Sequence, residues 1–407
     1  MKPNGRGTGL LLARTVALGS LFASFLAGTP AGAQAWTPEG RRITLGGSPL
    51  LQVEISALVP EPDSASPLPS NVVGMGLAGA GAWPIWSPDA SKLAFIAPGG
   101  TLTILDKETQ KSITPETSAV SPVAWSPDSD FLAVVLANEA GGLKLKSLHT
   151  NGDMALTVAL PFAKLGTGLS LPLAWVPTTD NVIIAGGDGT KTDLYLMEQG
   201  QVVPLTTTGD VLGFGVSDDG SRVRWIMKSR NTHYILFSIY EMQLAKRTVT
   251  KLNFPDRLAS VNPVPNKSVD AVVSAAFSAD LSNIAFVTKG GPGAEANTNA
   301  LFVTDVRGSR TLLLARTTPS TVAPRPTIAP KDDGGPPAPP ALPAPLGAAS
   351  PGAGAQASVA SAPAGPFGLA SFSQDGRKLS YLRTVGEKRY LFFVRLESNE
   401  RFVGLLP

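Results

Sequence analysis

Five aspartates recur along the chain, and they are the residues best suited to act as catalytic acids or to bind a cation: Asp89, Asp128, Asp219, Asp280 and Asp375. Carboxylates can transfer protons or hold a calcium ion. However, a catalytic acid has no reason to be copied to one place in every unit of a repeat. Asp also accepts hydrogen bonds from the backbone of its own turn. We therefore expect these five residues to hold turns.

Other candidates for chemistry are few. The chain has two histidines, His149 and His233, and no cysteine. Disulfides, thiolate metal sites and a lipid-modified cysteine are therefore excluded, and a His-rich metal centre is not expected. Both histidines fall near predicted strand ends in different repeats, where surface or packing roles are expected. The sequence predicts no catalytic, cofactor-binding or metal-binding residue and no cofactor.

Comparison with three known catalytic or phosphate-binding motifs also does not indicate an enzyme. The segment 186–192, GGDGTKT, is similar to a phosphate loop, but Thr190 replaces the required Gly and the segment joins two predicted strands. A Gly-x-Ser-x-Gly elbow, which a serine hydrolase domain requires, does not follow the last repeat. In the sequence Ser217-Asp218-Asp219-Gly220, the Gly lies one place too early for the sialidase Asp-box.

The aspartates belong to a repeated ten-residue pattern of a large apolar residue, Ser, Pro and Asp followed three residues later by an apolar run. Each copy predicts a strand, a tight turn and a buried strand, and further strand-like runs follow. The period of roughly 40 to 50 residues indicates a repeat architecture. Four short antiparallel strands per repeat predict an all-β fold, a β-propeller. The copies begin at Trp36, Trp86, Trp125, Trp175, Val216, Phe277 and Phe372.

Six blades are complete by pattern, and residues 36–60 predict a partial seventh at the N-terminus. The alternative for 36–60 is a hairpin that covers or closes the ring. Residues 60–82, rich in Pro, Ser, Gly and Ala, predict a loop with at most one poor strand.

Two copies, at Trp86 and Trp125, read Trp-Ser-Pro-Asp in full, and the copies at Val216 and Phe372 keep Ser-x-Asp-Gly. With the Leu-Ala-Phe run that follows, this pattern resembles the repeat of TolB-like β-propellers, relatives of the WD-repeat propellers. The resemblance implies the fold and says little about activity, because propellers of this type host many unrelated functions.

The first 35 residues resemble an export signal, with an apolar stretch at 16–27 and small-residue cleavage sites ending at Ala33 or Ala35. An uncleaved anchor or a buried helix are the alternatives. The leader holds three basic residues and no acidic one. The remaining chain then has equal numbers of basic and acidic residues, 31 of each, since the whole has 34 and 31. This balance gives no electrostatic case for nucleic acid.

Residues 318–366 contain 13 of the 36 prolines and only four charges, so they predict a disordered or polyproline-like insert. Residues 367–407 carry one repeat, and a single blade has nothing of its own to pack against. We therefore expect 36–317 and 367–407 to form one propeller interrupted by the insert. Its role is a spacer or, alternatively, a wall, a glycan site or a partner tether.

These observations predict an exported, monomeric, non-enzymatic propeller, periplasmic or extracellular, that binds a protein or an envelope polymer. Binding is expected at the mouth of the central channel and on the face that carries the turns between second and third strands and the links between blades. No stable membrane span is expected after signal cleavage. The alternative is a propeller enzyme of lyase or lactonase type acting on a sugar or lactone.

Overall fold

The short apolar runs of the repeats form β-strands throughout the computed structural model. The structure describes residues 34–63, 66–77, 80–138, 141–166, 169, 171–228, 237–255, 258, 271–289, 299–316 and 370–407. Within these ranges the chain forms thirty strands and one short 3-10 helix, Ile55–Ala57. No helix in the described part is long and apolar enough to cross a bilayer.

The strands group into seven sheets, which are the blades. The first nine strands form blades 1 and 2, except for β4, which belongs to blade 7: β1 (Gln34–Trp36), β2 (Arg42–Leu45), β3 (Leu51–Glu54), β4 (Val59–Pro60), β5 (Met75–Gly76), β6 (Ala82–Trp86), β7 (Lys92–Ala97), β8 (Thr101–Asp106) and β9 (Ser112–Glu116). Blades 3 and 4 consist of β10 (Ala124–Trp125), β11 (Phe131–Ala137), β12 (Leu143–His149), β13 (Met154–Ala159), β14 (Lys164–Leu165), β15 (Leu173–Trp175), β16 (Val182–Gly187), β17 (Thr192–Glu198) and β18 (Gln201–Pro204).

Blades 5 to 7 complete the ring. They consist of β19 (Val211–Val216), β20 (Arg222–Lys228), β21 (Phe237–Gln243), β22 (Thr248–Lys251), β23 (Ala271–Phe277), β24 (Asn283–Lys289), β25 (Asn299–Asp305), β26 (Thr311–Arg316), β27 (Ser371–Phe372), β28 (Lys378–Val385), β29 (Lys388–Arg395) and β30 (Arg401–Leu405). Neighbouring strands of each blade pair antiparallel. The first strands of adjacent blades contact one another, as β1 contacts β6 and β27, so these strands lie nearest the common axis.

Each seam between neighbouring blades holds its own cluster of buried apolar side chains, and together the seven clusters form the core. In blade 2, for example, Ala94 and Ile96 face blade 3, whereas Leu93 and Phe95 pack with Leu50 of blade 1. Sheets packed on both faces need apolar residues on both faces. This explains the continuous apolar runs of the second strands.

Blade 1 has four strands, because β5 pairs with β3 as its outermost strand. The predicted propeller with a seventh blade is thus confirmed, and the structure completes that blade. The pairing between β3 and β5 joins only two residues of each strand, Leu51 with Gly76 and Gln52 with Met75. A strand of two residues within a Pro- and Gly-rich segment leaves no periodic signal in the sequence.

The ring is closed by residues 55–63 and 66–74, which follow β3 in the chain and which we call the clasp. Within the clasp, β4 pairs with β30 and becomes a fifth strand of blade 7, and the Val73 amide donates to Leu405 O at 2.8 Å. At the axis, Gln34 Nε2 donates to Ser380 O at 3.0 Å. Blade 7, formed by the last residues of the chain, is therefore joined to blade 1 at both its inner and its outer strands.

The turns between first and second strands define one face of the ring, here called the turn face. The opposite face, the connection face, carries the turns between second and third strands and the links between blades. The predicted leader up to residue 33, the insert at 318–366 and His233 lie outside the described residues.

Candidate functional site

The recurring aspartates hold the turns of the turn face. In blade 2, Ser87 Oγ donates to Asp89 Oδ1 at 2.5 Å and accepts from the Lys92 amide at 2.9 Å, while the Ser91 amide donates to Asp89 Oδ1 at 3.0 Å. The same arrangement returns in blades 3, 5, 6 and 7. Burial of the Asp89 carboxylate opposes ionisation, but hydrogen bonds from Ser87, Ser91 and Ser129 outweigh it and lower the pKa to about 2. These acids are structural and remain ionised.

Three of the tryptophans that begin the copies donate a hydrogen bond to the preceding blade of the ring. Trp36 Nε1 donates to Ser371 O at 2.9 Å, and Trp86 Nε1 donates to Thr44 Oγ1 at 2.9 Å. Trp125 Nε1 donates to Ile85 O at 3.1 Å. In blade 4 the turn differs, and Trp175 Nε1 instead donates within its own turn, to Thr179 O at 2.8 Å. The repeat motif as a whole therefore serves architecture.

Two further sequence candidates are also structural. His149 ends β12, is exposed and packs its ring on Phe131 with centroids 4.4 Å apart. The segment 186–192 is the hairpin between β16 and β17. There Asp188 accepts hydrogen bonds from the Thr190 side chain and the Lys191 and Thr190 amides, which lower its pKa to about 2. A carboxylate that occupies the loop's amides leaves no cradle for phosphate.

The strands nearest the axis are β1, β6, β10, β14 with β15, β19, β23 and β27, and Lys164 in β14 is the one Asp, Glu, His, Lys or Arg that these described strands contain. Lys164 in β14 is exposed at the connection-face end of β16. Among the described residues no group of three or more His, Cys, Asp or Glu could hold a metal ion. The innermost strands, as far as the structure describes them, thus present no carboxylate and no imidazole.

A residue of blade 4 also contacts the far side of the channel. The innermost strand of blade 4 is interrupted between β14 and β15, where the Gly166 amide donates to Ala185 O and the Ala185 amide donates to Pro172 O, both at 2.8 Å. Between these anchors, the Leu169 amide donates to Ser274 Oγ on the innermost strand of blade 6. The Leu169 side chain is buried with apolar residues of blades 6 and 7. Because blade 5 separates blades 4 and 6, Leu169 contacts the channel side opposite its own blade.

The described part of the molecule has a charged pocket on the turn face, between blades 5 and 6. Its volume is about 220 Å³. Arg224 Nε donates to Glu241 Oε2 at 2.7 Å, Arg224 Nη1 donates to Leu281 O at 3.0 Å, and Arg222 Nη1 lies 3.7 Å from Glu241 Oε2. The lining residues are Ser217, Asp218, Asp219, Arg222, Arg224, Asp280 and Leu281.

The carboxylates of this pocket stay charged. A hydrogen bond from Ser217, with others from Ser221, holds the pKa of Asp219 well below its ordinary value. Burial opposes ionisation of Asp280, but hydrogen bonds from Ser278 and Ser282 still lower its pKa. The pocket therefore presents fixed negative and positive charges at neutral pH.

The central pair of this pocket occurs in blade 5 alone. At the position of Arg224 the other six blades carry small or apolar buried residues: Thr44, Ala94, Ala133, Ile183, Ala285 and Ser380. Opposite Arg224, at the position of Glu241, they carry buried residues without charge: Gln52, Ile104, Ser147, Leu196, Val303 and Phe393. Arg224 and Glu241 are each only 17% exposed.

Sequence reasoning missed this pocket, although a signal was present. The copies read Leu-Ala-Phe or Leu-Ala-Val in blades 2 and 3 but Val223-Arg224-Trp225 in blade 5. Aligning the copies by their Ser-x-Asp turns makes Arg224 stand out as a charge inside an apolar run. The partner Glu241 could not be found in this way, because the strand pairing decides which residue it faces.

The fold is that of known propellers. An oligogalacturonate lyase in complex with manganese superposes with a TM-score of 0.55 at 14% identity, over 92% of this chain and 88% of that chain. An oligogalacturonate lyase from Vibrio parahaemolyticus gives 0.56 at 10% identity, over 92% and 89%. TolB from Acinetobacter baumannii gives 0.43 at 14% identity, over 70% and 64%. The sequence itself matches no protein-family model and no curated protein. At these identities the likeness shows the β-propeller fold alone.

Proposed function

We propose that this chain is an exported, non-enzymatic, TolB-like β-propeller that binds a protein or a cell-envelope polymer in the periplasm or outside the cell. The channel carries the proposal. Propeller enzymes of lyase or lactonase type use side chains around the central channel, and here the innermost strands offer no carboxylate or imidazole, only the amine of Lys164 in β14. Leu169 also lies against the innermost strand of blade 6, where its amide donates to Ser274 Oγ.

The alternative, a lyase acting on a sugar, has one observation in its favour. Two of the propellers that superpose on this chain, with TM-scores of 0.55 and 0.56, are oligogalacturonate lyases. An oligogalacturonate is therefore the substrate that tests this alternative, with manganese added because one of those structures contains it.

Export makes a separate prediction about the start of the mature chain. Cleavage after Ala33 leaves β1 whole, whereas cleavage after Ala35 removes two of its three residues and the Gln34 hydrogen bond to Ser380 O. We expect the exported protein to begin at Gln34, as N-terminal sequencing of the secreted or periplasmic chain will show. A mature chain beginning at Trp36 contradicts this expectation.

The function is tested by affinity capture from the native envelope fraction, using the mature chain as bait and an unrelated propeller as control. We expect one protein or polymer to be retained in stoichiometric amount by this bait only. The same preparation is incubated with oligogalacturonate and manganese. Depolymerisation of the oligosaccharide, or retention of nothing beyond the control, overturns the proposal.

A further inference from the structure

We propose that the pocket between blades 5 and 6 binds an amino-carboxylate group, one that carries an ammonium and a carboxylate a few ångströms apart, on the partner of this propeller. The inference rests on the proposed function and assigns the chemistry of one contact. Its evidence is the cavity itself and four charged residues. Asp218, Arg222 and Arg224 line the cavity, and Glu241 pairs with Arg224.

The ion pair is not needed for the fold. Six blades of the same ring pack uncharged residues where blade 5 has Arg224 and Glu241. Replacing a buried ion pair by apolar residues of fitting size is often neutral or stabilising, because desolvation of the charges offsets their attraction. A charged pair kept at a position that the same fold fills with Ala285 and Val303 therefore requires a reason other than packing.

The charges complement an amino-carboxylate. Arg222 and Arg224 present guanidinium groups, and guanidinium binds carboxylate with good geometry. Asp218 supplies a carboxylate for an ammonium group. It occupies the place of Pro88 and Pro127 in other turns, and the holding of its own turn falls to Asp219. An amino-carboxylate offers an opposite charge to both sets of groups, whereas a ligand with a single charge complements only one of them.

The size of the pocket limits the ligand to one group of a larger molecule. Pockets for whole small molecules have volumes of roughly 300–1,000 Å³. The cavity of about 220 Å³ is smaller and opens on the turn face. It suits a single amino-acid group that projects from a polymer or a polypeptide.

Titration calorimetry with the whole mature chain and three related probes tests whether the pocket prefers both charges, only ammonium or only carboxylate. Diaminopimelate carries both charges at each end, cadaverine has only the ammonium groups, and pimelate has only the carboxylates. We expect diaminopimelate to bind roughly tenfold or more tightly than either of the other two, since each lost charge contact removes about that factor. Equal binding of cadaverine or of pimelate, or no binding of diaminopimelate, overturns the proposal.

The variant that tests the site is Arg224→Ala with Glu241→Val, which copies the pair Ala285 and Val303 of blade 6. Because the ring already accepts that pair, the variant is expected to fold, and its thermal unfolding verifies this. The matched control is Arg42→Met, which removes the arginine at the position of Arg222 in blade 1. We expect the double variant to lose diaminopimelate binding and the control to keep it. Unchanged binding by a folded double variant overturns the site.

The two proposals fail separately. If the double variant loses the probe but still captures the envelope partner at full yield, the pocket is not the contact with that partner, and the inference falls while the proposed function stands. If the wild-type chain binds the probe but captures nothing from the envelope, the proposed function falls while the pocket remains a binding site.

Discussion

Blades 3 and 5 have the same turn but different seams. In both, a Ser hydroxyl and an Asp carboxylate close the turn, Ser126 with Asp128 and Ser217 with Asp219. At the seam with the following blade, however, blade 3 presents Ala133 in an apolar cluster and blade 5 presents Arg224 beside a pocket. Features common to all blades serve the ring. Features found in one blade are therefore where recognition should be sought.

Moving the arginine into blade 3 tests this comparison most severely. Ala133→Arg places a charge at a fully buried position opposite Ser147, which cannot neutralise it. An uncompensated buried charge costs roughly 3–5 kcal/mol. We expect the Ala133→Arg variant to lose roughly 3–5 kcal/mol of unfolding free energy, measured by urea denaturation, or to fail to fold. A variant as stable as wild type would show that the seams do not differ in their tolerance of charge.

Removing the arginine from blade 5 has a smaller effect. Arg224→Ala leaves Glu241, 17% exposed, without its hydrogen-bonded arginine and with Arg222 Nη1, 3.7 Å away, as its ionic partner. We expect a loss of about 1–3 kcal/mol, the range for an unsatisfied buried polar group. Adding Glu241→Val should return stability to within about 1 kcal/mol of wild type or above it. If the double variant is the less stable, the pair is architectural after all.

The shared turns should respond alike to pH. The pKa of Asp89 is lowered to about 2, and that of Asp219 is also lowered. A carboxyl whose pKa is depressed by folding stabilises the folded state above its unfolded pKa, about 4, and that stability is lost as pH falls through the folded pKa. We expect Asp89→Asn and Asp219→Asn to be less stable than wild type at pH 6 and to approach it near pH 2–3. The melting temperature as a function of pH measures this, and opposite trends in the two variants contradict a common role.

The smallest effect is expected in blade 1. Arg42 pairs with Glu54, and both side chains are more than a third exposed. Exposed pairs contribute roughly 0–1 kcal/mol, so Arg42→Met should change the unfolding free energy by less than about 1 kcal/mol. A larger loss would mean that arginine at this turn position is structural, and it would weaken Arg42→Met as a control.

Much of the ring was predictable because its signals are local. Ser87, Asp89 and the run from Leu93 to Ile96 specify a turn and a buried strand within ten residues, and the copies repeat that signal. The clasp was not predictable. Its strand β4 has two residues and pairs with β30 near the opposite end of the chain, and such a pairing leaves no periodic trace.

The candidate site divides in the same way. The sequence by itself determined that the aspartates belong to turns, because a residue repeated in each unit serves what the units share. Only the tertiary structure decided that Glu241 faces Arg224, that Leu281 forms a wall beside them and that Leu169 lies against Ser274. These contacts join residues far apart in the chain. They depend on strand register and on the closing of seven sheets around one axis.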